Sequence, residues 1–259
     1  MLKKLYQTLK KSPFFSKLLH FCDITVPRKL QGHLHPLYVR LISNHWVRSG
    51  YEQEIREVFK QTCRLYNLKT LYDIGSNVGI FALDFLSLNP KNSVFAFEPN
   101  PFVFPCLEKT RQRNQLNNLQ LFNLALSDLS GKARLTFDPL SPAKGGLHPI
   151  RDGKYNHELE YGGLSISREV KTVTLDNFFS SHLPPDILKI DAEGEELRIL
   201  KGARKLLSSY HPVLFFECSH NAAEIHKLLI SCGYSFKNLK LEKIEKLESF
   251  NLAFANCKS

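Results

Sequence analysis

The sequence predicts an α/β fold built on a mainly parallel, seven-stranded sheet that closes with a C-terminal antiparallel hairpin. Three observations carry this expectation. Short apolar strands alternate with helical runs from residue 51 onward. The strands at 70–74, 94–97 and 187–190 each run into an acidic residue beside a glycine or proline turn. Near the C-terminus the alternation stops, and two strand-like runs follow each other across a charged turn. Strand–helix alternation covers both faces of a parallel sheet with helices.

Residues 1–48 read as a basic helical N-terminal extension, and 49–259 as one α/β domain. Leu2, Leu5, Tyr6 and Leu9 share a helical face, with Lys3, Lys4, Lys10 and Lys11 on the other side. Ser12-Pro13 reads as an N-cap and first helical residue. The net charge is +10, and residues 1–30 carry seven Lys/Arg and one Asp, or +6 of it. Such an arm suits either packing on its own domain, the reading favoured here, or peripheral contact with an anionic membrane surface.

Residues 51–66 place Tyr51, Ile55, Val58, Phe59 and Tyr66 on one helical face, and Glu52, Glu54, Arg56 and Lys60 on the other. Strand Thr70–Ile74 leads through a glycine turn to a helix over Val78–Leu88, stopped by Pro90. Strand Val94–Phe97, a helix within Pro101–Leu116 and strand Leu119–Leu126 follow. Residues 139–168, rich in Gly, Pro and His, read as a long loop able to cover a ligand at the strand ends. Beyond it come strand Ile187–Ile190, helix Glu195–Leu207, strand Val213–Phe216 and helix Ala222–Ser231, ended by Gly233. YSFKNLKL and SFNLAFANC form the terminal hairpin.

Apolar residues at 43% and charged residues at 23% are ordinary for a globular chain and exclude a disordered or fibrous class. No apolar run approaches the length of a membrane span, and the N-terminus lacks the features of a secretory signal. Cysteines at 22, 63, 106, 218, 232 and 257 form no CxxC pair, which fits reduced thiols in the cytoplasm.

The first chemical motif is LYDIGSNVG, residues 71–79. A strand ends at Asp73, Gly75 lets backbone approach a ligand, and the helix beginning near Gly79 offers free N–H groups. A dinucleotide fingerprint needs glycine at position 77 and near 80, where Asn77 and Ile80 stand instead. A P-loop is excluded because no GK[ST] follows. The turn suits a ligand combining a cationic amino-acid moiety with adenosine, with Asp73 near its charged end. Glu98 follows Gly79 by 19 residues at the end of the next strand, where a carboxylate can accept from a ribose diol. In ALSD, Asp128 is placed to accept from an adenine amine, although a turn explains it equally well.

On the other side of the sheet, ILKIDAEGEE places Asp191 at a strand C-terminus and Glu193 two residues on. Phe215–His220 adds Glu217 and His220 at the end of the next strand, expected to neighbour Asp191. Asp191, Glu193 and Glu217 also form an alternative set of hard oxygen ligands suited to Mg²⁺.

The runs DIGSNVG, FEPNP, ALSD, VKTVTLD, ILKIDAEGEELRILKGA and PVLFFE together resemble the FkbM-type methyltransferases. DIGSNVG alone is shared widely; its combination with KIDAEGEE and LKGA is specific. The resemblance spans roughly Tyr51 to the C-terminus. It implies a class I, Rossmann-like methyltransferase fold for 49–259, S-adenosylmethionine as donor and O-methylation of a sugar, glycan or small-molecule natural product. It carries cofactor-binding roles onto Asp73, Gly75, Asn77, Gly79 and Glu98, with Ser76 in the same turn and Asp128 at the adenine edge. It carries an active-site role onto the Asp191–Glu193 turn, with Glu217 and His220 as further catalytic candidates. Two departures stand out: Pro105 inside the helix after FEPNP, and the basic arm, which lies outside the match. A nucleic-acid partner is not expected, since no Asn/Asp-Pro-Pro-aromatic stretch follows the fourth strand and no aromatic-interleaved basic stripe is present. A catalytically silent module of the same fold remains the third reading.

Overall fold

The computed structural model describes residues 22–139, 141–149, 166–218 and 220–255. The main sheet has eight strands, not seven. In chain order they are β3 (Thr70–Ile74), β4 (Ser93–Phe97), β5 (Leu119–Phe122), β10 (Ile187–Ile190), β11 (Val213–Glu217), β12 (Tyr234–Lys237), β13 (Lys243–Ile244) and β14 (Phe250–Ala255). They lie side by side as β13-β12-β14-β11-β10-β3-β4-β5. The run from β5 to β11 is parallel. The eighth strand is two residues of the charged turn, Lys243 and Ile244, which extend the edge beyond β12. The C-terminal pair is antiparallel as expected, but β14 inserts between β11 and β12 instead of adding to the outside.

Period-two alternation sorts the central strands between two cores. Tyr72, Ile74, Phe95, Phe97, Leu188, Ile190, Leu214 and Phe216 face one core. It is covered by α4 (Leu175–Phe179), α5 (Glu196–Lys201), α6 (Arg204–Ser209) and α7 (Ala222–Ser231). Leu71, Val94, Ala96, Ile187 and Phe215 face the other. That side is covered by α1 (Gln53–Leu65), α2 (Ile80–Leu88) and α3 (Phe104–Arg113). The same alternation puts Asp73, Lys189, Asp191 and Glu217 on the second face, at its C-terminal edge.

Several expected elements are redrawn by tertiary contacts. The run Leu119–Leu126 breaks after Phe122, and its end, β6 (Ala125–Leu126), joins a second sheet. That sheet, ordered β6-β9-β7-β8, contains β7 (Gly131–Asp138), β8 (Ser141–Pro149) and β9 (Ile166–Val173). The expected loop 139–168 is therefore partly strand; its centre, 150–165, lies outside the described residues. The helix expected over Glu195–Leu207 divides at Gly202, where a Cβ would stand 2.2 Å from the Ser127 carbonyl oxygen. Close approach of the 127–128 turn demands glycine there, and Asp176 caps the new helix through the amides of Lys205 and Leu206. Pro105 falls in the first turn of α3, where its missing N–H leaves no bond unmade.

The N-terminal extension is not helical where it is described. Residues 25–28 and 37–40 pair as an antiparallel hairpin, β1 (Thr25–Arg28) and β2 (Leu37–Arg40). The expected helices before residue 22 lie outside the described residues. Leu30, Leu37, Val39 and Val47 join the core under α1 and α2. Asp23 accepts from the amides of Ile42 (2.7 Å) and Ser43 (3.2 Å). Arg56 and Lys60, expected in water, are 2% and 5% exposed. Arg56 turns inward because α2 offers a buried carboxylate: Nε and Nη2 donate to Asp84 at 2.7 and 2.8 Å. Burial alone would raise the Asp84 carboxyl, but hydrogen bonds from Arg56 and His33 outweigh it and hold the group low. Among the described residues no helix is long and apolar enough to cross a membrane.

Candidate active site

The sheet order reverses between β3 and β10, the place where open α/β sheets bind ligands beyond the strand C-termini. An open cleft of about 1050 Å³ lies there. One half of its wall comes from Ile74–Asn77 and Phe97–Asn100, the other from Lys189 and Asp191–Glu193, with Trp46, Tyr51 and Glu52 over them. Leu124–Leu126, Leu135, Pro142, Gly145 and Leu147 bring the second sheet to the same cleft, so the segment expected as a covering loop does face it, partly as strand.

The turn after β3 is bonded to β4. The amides of Gly75 and Ser76 both donate to the Phe97 carbonyl at 3.0 Å, and Ser76 Oγ donates to it at 3.3 Å. Gly75 has φ 68°, and a Cβ there would stand 1.9 Å from the Asp191 carbonyl oxygen. Glycine is thus required where the two halves of the cleft cross. Gly79, at φ 87°, begins α2 and packs under Leu107 of α3; it does not line the cleft. Glu98 accepts from the Asn77 and Asn100 amides, both at 2.8 Å. Burial pushes its carboxyl up to about 7 against the pull of those amides. Each oxygen keeps a second acceptor position.

Asp73 is fully buried beneath the cleft instead of lining it. Its carboxylate lies 3.5 Å from the Lys189 ammonium, and neither oxygen has a hydrogen-bonding neighbour at closer range. Lys189 Nζ is also 3.5 Å from Asp191 and donates to the Gly75 carbonyl at 3.0 Å. Burial disfavours its charge, but Asp191, Asp73 and Glu52 outweigh that and raise its pKa. One buried cation therefore joins the floor, the glycine turn and the acid at the end of β10.

Asp191 lines the cleft with its side chain 27% exposed. Parallel register pairs Ile190 with Phe216, which sets Glu217 beside Asp191. Burial, a hydrogen bond to Asp191 and that carboxylate's field push the Glu217 carboxyl up to about 8. Glu193 lines the open side at φ 51°. Glu196, in the first turn of α5 as expected, also accepts from the amides of Ala192 and Gly194 and fixes the turn that presents Asp191.

Three expectations are corrected. Asp128 does not line the cleft: it takes a hydrogen bond from Ser127 Oγ, and the apolar residues 124–126 form the wall there. His220 is not among the lining residues; its Nδ1 lies 3.9 Å from where a Cβ on Gly194 would stand. The Mg²⁺ set of Asp191, Glu193 and Glu217 does not assemble; among the described residues no three His, Cys, Asp or Glu converge on a metal position. Lys189 already supplies the positive charge beside Asp191, and Glu217 meets Asp191 through a hydrogen bond. The sequence reading missed Trp46, and it placed Tyr51 and Glu52 on the two faces of helix 51–66 with no role in the site; the helix starts only at Gln53.

A parallel sheet with this switch point, a glycine turn and acids at the ends of neighbouring strands defines a Rossmann-like nucleotide-binding fold. The comparisons agree. Residues 73–236 match the methyltransferase FkbM domain. The hexuronic acid methyltransferase AglP of Haloferax volcanii is 31% identical over 178 residues, 68% of this chain and 67% of that protein. The 31-O-demethyl-FK506 methyltransferase FkbM of Streptomyces tacrolimicus is 33% identical over 60% of this chain and 70% of its own length. A crystal structure of methyltransferase FkbM from Methylobacillus flagellatus has a similar fold at TM-score 0.50, with 15% identity, over 72% of this chain and 43% of that one. The chain belongs to the FkbM methyltransferase family, with S-adenosylmethionine as the methyl donor.

Proposed function

We propose that the protein methylates a hydroxyl of a sugar or natural product, with Asp191 as the group that takes the hydroxyl proton. The observation that carries this reading is the position of Asp191: on the cleft wall, at the end of β10, and bridged by Lys189 to the Gly75 turn. The relatives named for O-methylation or for a hexuronic acid acceptor support the acceptor class.

The residues of the cleft fit the donor. Glu98 retains acceptor positions suited to a ribose diol, Asn77 Oδ1 is buried with no hydrogen-bond partner, and residues 124–126 with Ile199 offer an apolar wall. S-adenosylmethionine, when bound, supplies an electrophilic methyl on a sulfonium leaving group. The protein's work is then alignment and proton removal, the first contributing up to about 7–11 kcal/mol in favourable cases. As the oxygen–methyl bond forms, the acceptor proton passes to Asp191, and Lys189 steadies its carboxylate beforehand.

Asp191→Asn tests the reading. It should fold and bind donor normally, while transfer of labelled methyl falls by at least about 10²-fold. Wild-type turnover in this variant removes Asp191 from the chemistry.

A further inference from the structure

We propose that Trp46, Tyr51 and Glu52 form the acceptor wall, and that it selects a polyhydroxylated ring without a carboxylate, such as a neutral pyranoside. This rests on the reading of the cleft as a methyl-transfer site and narrows its acceptor.

The three residues lie outside the segment that matches the family, 73–236, yet line the same cleft as Asp191. They arrive there from the end of the N-terminal extension and the start of α1. Trp46 and Tyr51 meet with ring centroids 4.7 Å apart and planes at 49°, which makes an angled aromatic corner. Such a surface packs the C–H face of a sugar ring while leaving its hydroxyls for polar partners. Glu52 supplies one: it accepts from the Tyr51 hydroxyl and lies in the field of Asp191 and Lys189. Its backbone is left-handed at φ 45°, a conformation a glutamate holds only under constraint. The constraint comes from behind. Arg56, anchored on buried Asp84, donates from its amide to the Glu52 carbonyl at 2.9 Å and from Nη1 to the Tyr51 carbonyl at 3.5 Å.

Charge sets the selectivity. Glu52, Glu98, Asp191, Glu193 and Glu195 line the cleft, and Lys189 is the single Lys or Arg among the described lining residues. That ammonium is engaged by Asp73, Asp191 and the Gly75 carbonyl. Burial and Asp191 already raise the Glu52 carboxyl. Among the described residues, an acceptor carboxylate brought to this wall meets like charge and no cation that is not already engaged, whereas hydroxyls donate to every carboxylate they reach. This differs from the hexuronic acid in the name of the Haloferax volcanii relative.

Trp46 is the only tryptophan in the chain, so its fluorescence reports the wall directly. Calorimetry with S-adenosylhomocysteine comes first; failure to bind it overturns the methyltransferase reading itself. The protein saturated with S-adenosylhomocysteine is then titrated with methyl β-glucoside and methyl β-glucuronide, which differ only at the C6 carboxylate. The expected result is a fluorescence response to the glucoside at millimolar concentration, and binding of the glucuronide weaker by about 10-fold or more. Glu52→Gln should narrow that gap, and Trp46→Ala should abolish glucoside binding in calorimetry while keeping S-adenosylhomocysteine binding. Equal or tighter binding of the glucuronide overturns the proposal. So does silence of Trp46 toward both glycosides in protein that binds S-adenosylhomocysteine.

Discussion

The two halves of the cleft are held by different forces. The donor half is contiguous backbone: the 74–77 and 97–100 turns exchange amide and carbonyl bonds, with Glu98 accepting from both. The acceptor half is side-chain charge brought from three segments: Glu52 before α1, Lys189 and Asp191 on β10 and at its end, and Glu217 on β11. Backbone hydrogen bonds between paired turns change little with pH, so on the donor half it is Glu98, pushed up to about 7, that responds to protons. A cluster of acids around one ammonium shifts with every proton. Lys189 is where the halves meet, through Gly75 on one side and Asp191 on the other.

Four substitutions break or sharpen this contrast. Gly75→Ala strikes both halves, since its Cβ meets the Asp191 carbonyl at 1.9 Å in a left-handed conformation. Thermal or urea unfolding should show a loss of about 4 kcal/mol or more, with donor binding lost as well. Lys189→Met leaves Asp73 buried without its cation and should destabilise by about 3–5 kcal/mol at neutral pH. Adding Asp73→Asn should restore part of that stability but not methyl transfer; full additivity in the double variant contradicts the pairing. Glu98→Ala acts on the donor half alone and should weaken S-adenosylmethionine binding by about 1–3 kcal/mol, measured by calorimetry.

The smallest effect belongs to Glu217. A carboxyl raised to about 8 in the folded state binds its proton more tightly than in the unfolded chain. Its contribution is therefore present below its unfolded value and is lost as pH rises toward about 8. Glu217→Gln cannot titrate, so its melting temperature should gain on wild type between pH 6 and pH 9. An unchanged difference across that range means that burial and Asp191 do not hold the Glu217 proton.

The sequence by itself determined the elements whose signals are local. Ile187–Ile190 is an apolar run closed by an acid and a glycine turn, and Ala222–Ser231 is a helical run before Gly233; both have the expected limits. The DIGSNVG turn and Glu98 were legible because a glycine between strand and helix, and an acid one strand later, follow from chain geometry alone. The tertiary structure decided what depends on strand register and on chain crossing. It put Glu217 beside Asp191, through the Ile190–Phe216 pairing. It buried Arg56 on Asp84, 28 residues away, against its apparent place on a polar face. It set Asp73 beneath the cleft, 3.5 Å from Lys189, and folded part of an apparent loop into a second sheet. It also brought Trp46 and Glu52 over an acid in the 190s. Periodicity reports which way a side chain points from its own element; only the packed chain fixes what it meets there.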